Sequence, residues 1–160
     1  VLAAVLAQVS VLPWMRLLGG WPDVVAGAVV AVALLRGQLV GAVAGFAGGL
    51  MVELASPVGT LGVYALLYLI VGAFAGRYCE REESQSVLPA LVMNAAAIAF
   101  VQVGYAAVQV MLGGRLLVAD FVREVLLPTL VLSTLLFPVT LLVARKLLGR
   151  PHNYEPNAPL

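Results

Sequence analysis

The chain has 160 residues, with nine Lys or Arg, eight Asp or Glu and a formal net charge of +1 at pH 7. Apolar residues make up 62% of the sequence and charged residues only 11%, and the mean hydropathy is +1.05. A soluble domain normally carries roughly a quarter or more of charged residues on its surface, so this composition excludes an ordinary soluble globular domain. With so little net charge and no Lys/Arg run, nothing points to nucleic-acid binding. The sequence predicts an all-α, polytopic membrane helix bundle.

The uncharged stretches between successive charges predict six transmembrane helices. A helix needs about 20 residues to cross the hydrocarbon core. The predicted spans cover about residues 1–18, 22–36, 38–54, 58–76, 88–112 and 125–145, within a single domain over residues 1–150. We expect residues 151–160, which include three prolines, to form a disordered cytoplasmic tail.

The number of spans depends on the sequence Arg36-Gly37-Gln38. If these residues form a turn, the chain has six spans. If the helix continues through them, residues 24–52 form one overlong helix with a buried arginine, which is costly in a bilayer. Glycine suits a reversal of the chain, so the sequence favours the turn.

The basic residues predict the orientation of the bundle. Six of them fall on one side of the predicted membrane and three on the other: Arg36, Arg77, Arg81, Arg145, Lys146 and Arg150 against Arg16, Arg115 and Arg123. The positive-inside rule then places both termini in the cytoplasm. The polar residues 77–86 are expected to form a cytoplasmic loop.

Glycines recur at helical spacing in the third and fourth predicted spans. They are Gly41, Gly45 and Gly49 in the third span, and Gly72 and Gly76 in the fourth. Small residues let helix backbones approach closely in lipid. The pattern favours packing of these two spans against each other, and a groove for a partner helix is the alternative.

Two carboxylates and one arginine are predicted at the outer mouth of the bundle. Asp23 follows Pro22 where the second span begins, and a carboxylate there can cap the helix. Glu53 lies at the end of the third span, on the same side. A carboxylate at membrane depth is expected to pair, and Arg16 or a basic residue of a partner is the expected counter-ion.

Polar residues form a stripe along the fifth predicted span. Asn94, Gln102 and Gln109, with Ile98 and Tyr105 between them, follow steps of three and four residues and share one helix face. Unpaired amides are costly in lipid. The stripe therefore faces the bundle interior, a cavity or a partner helix.

The sequence predicts no catalytic residues, no metal site and no cofactor. The only histidine, His152, lies in the predicted tail, and the only cysteine is Cys79. No cluster of His, Cys, Asp and Glu has metal-binding spacing, and no glycine pattern precedes a lysine as in a phosphate-binding loop. We therefore expect that the protein is not an enzyme.

The order of several motifs resembles the rod-shape-determining membrane protein family MreD. The strongest stretch is residues 39–50 (LVGAVAGFAGGL), followed by Glu53, a position where the family usually has aspartate. The other matching motifs are Leu12-Pro13, Trp21-Pro22-Asp23, residues 33–37 (ALLRG), residues 61–66 (LGVYAL) and Phe137-Pro138.

The resemblance implies a non-enzymatic subunit of the bacterial cytoplasmic membrane. Such a subunit binds an MreC-like single-span protein, and through it the glycosyltransferase and transpeptidase of cell-wall elongation, in register with actin-like MreB filaments. The family is also similar in architecture to the substrate-binding subunits of energy-coupling-factor transporters. A vitamin-binding transporter subunit is therefore the alternative function, and membrane lipid is an expected partner in either case.

Overall fold

The computed structural model describes residues 23–55, 62–81, 87–113 and 121–148. Within these ranges the chain forms helices and short turns and contains no strand, which confirms the all-α prediction there. The helices are α1 (Val24–Arg36), α2 (Gln38–Ala55), α3 (Val63–Arg81), α4 (Val87–Met111) and α5 (Leu127–Leu148), and a π-helical turn (Phe121–Leu126) leads into α5. The predicted span over residues 1–18, with Arg16, and the tail over residues 151–160 lie outside the described residues.

Three helical stretches of the described chain are long and apolar enough to cross a membrane: Gln38–Ala55, Leu88–Met111 and Phe121–Leu148. Two shorter apolar helices accompany them, α1 and the Val63–Tyr78 part of α3. The 13 residues of α1 extend about 20 Å at 1.5 Å per residue, which is less than the hydrocarbon thickness of about 30 Å. The count of six spans stays a prediction.

A tight turn at Gly37 separates α1 from α2, so the alternative of one continuous helix is wrong. Gly37 has φ 85° and ψ −175°, a backbone conformation that favours glycine, and its N–H donates to the Ala33 carbonyl at 2.9 Å. Arg36 is exposed rather than buried. Its guanidinium donates to the Leu148 carbonyl at 2.8 Å, which satisfies a carbonyl left free at the end of α5.

The observed end of α3 differs from the predicted one. The helix continues to Arg81, so the first half of the predicted cytoplasmic loop over residues 77–86 is helical. A charged residue marks the end of an apolar segment, whereas glycine or proline is the usual signal for the end of a helix. Residues 77–81 (RYCER) contain neither glycine nor proline, and the helix therefore extends past its apolar part.

Helix α1 forms the centre of the bundle. It contacts α2, α3, α4 and α5, and Val25, Val29, Val30 and Ala33 have no exposed surface. A helix that is apolar all round belongs in a protein interior. The other helices surround α1 and carry the exposed apolar faces.

Helices α2 and α3 pack with their backbones in direct contact over the glycines predicted from spacing. Gly41 faces Gly72, Gly45 lies against the Tyr68 carbonyl, Gly49 lies against Tyr64 and Ala65, and Gly76 lies against Gly37 and Gln38. A Cβ added at any of the five glycines would come closer than 3.0 Å to backbone atoms of the other helix or of the turn. In this structure the glycines therefore join adjacent helices of one chain, and a partner interface at them stays a prediction.

The bundle has two chemically different ends. Asp23 hydrogen-bonds to Tyr68 in the first half of α3 and to Ser133 in the first half of α5, so these helices begin at the same end. Glu53, at the end of α2, lies there as well. We call this the carboxylate end, after Asp23 and Glu53. The opposite, basic end carries four exposed cationic side chains: Arg36, Arg77, Arg145 and Lys146.

Replacing Gly45 by alanine should destabilise the fold, whereas the same change at Gly27 should not. At Gly45 the new Cβ would collide with the Tyr68 carbonyl, and overpacking of this kind costs about 1–3 kcal/mol. At Gly27, also helical, the Cβ would meet its nearest atoms at 3.5–3.7 Å, so alanine should be neutral or stabilise by up to about 1 kcal/mol. Denaturant titration of both variants in detergent measures the difference. Equal free energies of unfolding would contradict the close contact of α2 and α3.

Candidate functional site

Asp23 is the centre of a buried hydrogen-bonded group at the carboxylate end. It is the N-cap of α1, as expected, and its Oδ1 accepts from the Ala26 N–H at 2.9 Å. The Tyr68 hydroxyl lies 2.6 Å from both Oδ1 and Oδ2. The Asp23 N–H donates to the Ser133 Oγ at 2.8 Å. One residue thus connects the first turn of α1 to α3 and α5.

These contacts explain how a carboxylate with only 6% exposure is tolerated there. A buried polar group is costly unless it is hydrogen-bonded, and donors to a carboxylate form stronger bonds than neutral pairs. The Asp23 carboxylate also lies at the helix N-terminus, where the macrodipole favours negative charge. Among the described residues, its partners are a phenol and a backbone amide.

Glu53 caps the first turn of α3 from the end of α2. Its Oε2 accepts from the Gly62 N–H at 2.7 Å and its Oε1 from the Tyr64 N–H at 2.6 Å. The first N–H groups of a helix have no partner within the helix, and here both carboxylate oxygens supply one. The sequence pointed to Arg16 as the partner of Glu53. Arg16 lies outside the described residues, and the partners seen are backbone N–H groups.

Aromatic residues extend this polar group to α4. The Tyr64 ring stacks on the Tyr105 ring, with centroids 4.6 Å apart, and the Gln109 Nε2 donates to the Tyr105 hydroxyl at 2.7 Å. Tyr64 also lies next to Tyr68, with centroids 5.9 Å apart. The carboxylate end therefore links all five helices through side chains with polar atoms and aromatic faces.

The polar stripe of α4 is divided between different environments. Asn94 is fully buried, and neither of its amide atoms has a hydrogen-bond partner among the described residues. Its Oδ1 lies near Gly27 of α1, next to Thr140 and Phe137 of α5. Gln102 is half-buried, and Gln109 bonds to Tyr105 as described. The structure thus brings Gln109 to the carboxylate end but leaves Asn94 in the core.

Two residues of the site, Tyr68 and Ser133, are absent from the sequence-based prediction. The sequence does contain a signal for Tyr68, because Tyr64 and Tyr68 are four residues apart and share one helix face. A phenol in lipid needs a hydrogen-bond partner just as an amide does. Ser133 had no such signal, since a serine in an apolar helix often bonds to its own backbone.

The described residues show no arrangement suited to a metal ion. Among them, no group of three or more His, Cys, Asp or Glu side chains comes together. The carboxylates of Asp23 and Glu53 both accept hydrogen bonds at helix starts. These hydrogen bonds of Asp23 and Glu53 hold helix ends together in a low-dielectric interior.

An open apolar groove lies between α4 and α5. It is lined by Leu91 and Ala95 of α4 and, on α5, by Leu130, Val131, Thr134, Leu135 and Pro138. Thr134 is the only polar side chain among these lining residues. The groove therefore has the character of a surface for acyl chains or apolar side chains.

Comparison of the chain with models of known protein families, with curated proteins and with solved structures gave no match. A functional assignment therefore starts from the residues and contacts described above.

Replacing Tyr68 by phenylalanine should destabilise the protein because the Asp23 carboxylate loses the hydrogen bond from the Tyr68 hydroxyl. Leaving a buried acceptor without its partner costs about 1–3 kcal/mol. The control is a double-mutant cycle with Asp23→Asn, which keeps a capping oxygen but removes the charge. We expect Tyr68→Phe to cost at least about 0.5 kcal/mol less in the Asp23→Asn background. Additive losses in unfolding free energy would contradict a direct Asp23–Tyr68 interaction.

Replacing Glu53 by glutamine should loosen the start of α3. An amide offers one acceptor oxygen where the carboxylate offers two, so either the Gly62 or the Tyr64 N–H loses its partner. Loss of a helix cap costs about 0.5–2 kcal/mol, and amide hydrogen exchange should accelerate at residues 62–65. Arg123→Gln, a charge removal at an exposed residue, is the control. Unchanged exchange in Glu53→Gln would show that Glu53 does not cap α3.

Proposed function

We propose that this chain is a non-enzymatic scaffold subunit of the bacterial cell-elongation complex, similar to MreD. In the cytoplasmic membrane it would bind an MreC-like single-span protein. Through that protein it would couple the glycosyltransferase and transpeptidase of peptidoglycan synthesis to MreB filaments, and so maintain cell shape. The observation that carries the proposal is that residues 39–50, the segment most similar to the family, supply the glycine face that joins α2 to α3.

The contacts of the Asp23 and Glu53 carboxylates support a scaffold function. Asp23 joins three helices and Glu53 joins two, and all four of their carboxylate oxygens accept hydrogen bonds. In an enzyme, carboxylates with catalytic roles reach the substrate. Here they fix helix ends relative to one another, which is what a rigid docking platform requires.

The packing of α2 suggests where a partner helix binds. Because α3 covers the glycine face, a partner meets α2 on its opposite side. That side carries an apolar stripe of residues spaced by three or four positions, with exposed fractions from 38% to 77%: Leu39, Val43, Phe46, Leu50 and Leu54. We place the membrane helix of the MreC-like partner on this stripe. Its residues alternate along the sequence with the glycines of the same segment.

The charge distribution supports the proposed orientation. Of the exposed cationic side chains in the described part of the chain, Arg36, Arg77, Arg145 and Lys146 lie at the basic end and Arg123 at the carboxylate end. Under the positive-inside rule the basic end faces the cytoplasm, where MreB lies. The carboxylate end then faces the wall synthases.

Affinity purification from native membranes tests this function. The tagged chain should recover a single-span coiled-coil protein together with cell-wall synthases, identified by mass spectrometry. Recovery of paired ATPases with a membrane coupling subunit would contradict the scaffold and favour the vitamin-transporter alternative.

Site-specific crosslinking tests the proposed interface on α2. After Cys79→Ser, single cysteines replace Val43 on α2, Val103 on α4 or Val139 on α5, which have similar exposures of 62%, 52% and 57%. We expect the position 43 variant to crosslink to the MreC-like partner several-fold more efficiently than the other two. Efficient crosslinking from 103 or 139 but not from 43 would contradict the assignment to α2.

A further inference from the structure

The basic end gathers cationic side chains from three helices. Arg36 ends α1, Arg77 lies in the last turns of α3, and Arg145 and Lys146 lie in the last turn of α5. All four side chains are exposed. Positive charge near a helix C-terminus is favoured by the macrodipole, but the concentration of four charges at one end exceeds what capping of α5 alone requires.

The contacts of these side chains and helix ends show how the charges are arranged. The Arg36 Nη2 donates to the Leu148 carbonyl at 2.8 Å, so its guanidinium lies at the last turn of α5. Arg145 precedes Leu148 by three residues, a rise of about 4.5 Å. On α3, Arg77 follows the buried Tyr68 by nine residues, which at about 100° per residue puts it on the outer face of that helix, away from α5. Arg36, Arg145 and Lys146 thus lie at one corner, where α1 and α5 end.

No described carboxylate neutralises this corner. The structure describes the side chains of two acidic residues, Asp23 and Glu53, and both lie at the opposite end of the bundle. The bond from Arg36 to the Leu148 carbonyl occupies one N–H of a group that has five and does not cancel its charge. Among the described side chains, the corner is therefore cationic and offers donors for an anion.

An apolar surface continues directly from the charges. On α5, Val139, Val143 and Leu147 lie on the same face as Lys146, and these three are 57%, 51% and 74% exposed. An exposed apolar strip thus runs from the cationic corner towards the middle of α5. This arrangement matches the shape and polarity of a phospholipid. A free anion would use only the cationic corner.

We propose that the basic end is a binding site for an anionic phospholipid, with the headgroup phosphate at Arg36, Arg145 and Lys146. An acyl chain lies along the Val139–Val143–Leu147 strip of α5. Guanidinium groups bind phosphate oxygens in pairs, and basic pockets between membrane helices bind anionic headgroups. The site does not depend on the scaffold function and applies equally to a transporter subunit.

Lipid titration of the purified full chain in neutral detergent tests the proposal. Phosphatidylglycerol and phosphatidylcholine with the same acyl chains are added separately, and the shift in unfolding temperature gives apparent affinities. Arg145→Gln/Lys146→Gln removes two charges without touching the Arg36–Leu148 bond. Arg123→Gln removes an exposed charge at the other end. Inorganic phosphate at millimolar concentration is a third ligand.

Phosphatidylglycerol should bind more tightly than phosphatidylcholine, and the double variant should lose roughly five-fold in phosphatidylglycerol affinity for each charge removed. Arg123→Gln should retain the affinity of the unmodified chain. Equal affinity for the two lipids, or an equal loss in Arg123→Gln, would overturn the site. A shift produced by inorganic phosphate as large as that by phosphatidylglycerol would assign the corner to a free anion and overturn the lipid.

Discussion

The direct backbone contact of α2 and α3 is the constraint on which the other features depend. Lipid provides no hydrophobic drive for helices to associate, so contact over small residues must hold them together. Gly41, Gly45 and Gly72 bring the two backbones into contact, and Glu53 closes the pair at the carboxylate end. Because Gly76 also lies against Gly37 and Gln38, the same contact positions the turn that directs α1 into the centre of the bundle.

The two ends of the bundle use charge in different ways. At the carboxylate end, Asp23 and Glu53 are buried and accept hydrogen bonds from the N–H groups at helix starts, which fixes those helices relative to one another. At the basic end, Arg36 and Arg145 remain exposed. The described charged side chains thus differ between the two ends, and this asymmetry fits a fixed orientation in a membrane.

The sequence predicts those features whose chemistry is local or periodic. Helical spacing revealed Gly41, Gly45 and Gly49, a helix start revealed Asp23 as a cap, and a glycine beside an arginine revealed the turn at Gly37. It did not reveal Ser133, which is 110 residues from Asp23. Nor did it reveal the partners of Glu53, because backbone N–H groups carry no residue-type signal. Where α3 ends also escaped prediction, because charge marks a membrane boundary rather than a helix end.

The long sequence separation of the contacts around α1 has a consequence for biosynthesis. The Asp23 N–H donates to the Ser133 Oγ, 110 residues later in the chain. The Arg36 guanidinium donates to the Leu148 carbonyl, 112 residues later. Helix α1 is also shorter than the hydrocarbon core is thick. Helix α1 therefore cannot complete these contacts until α5 has been synthesised. Among the described helices, the first in the chain therefore completes its contacts only with the last, so the centre of the bundle stays partly unpacked during most of the synthesis.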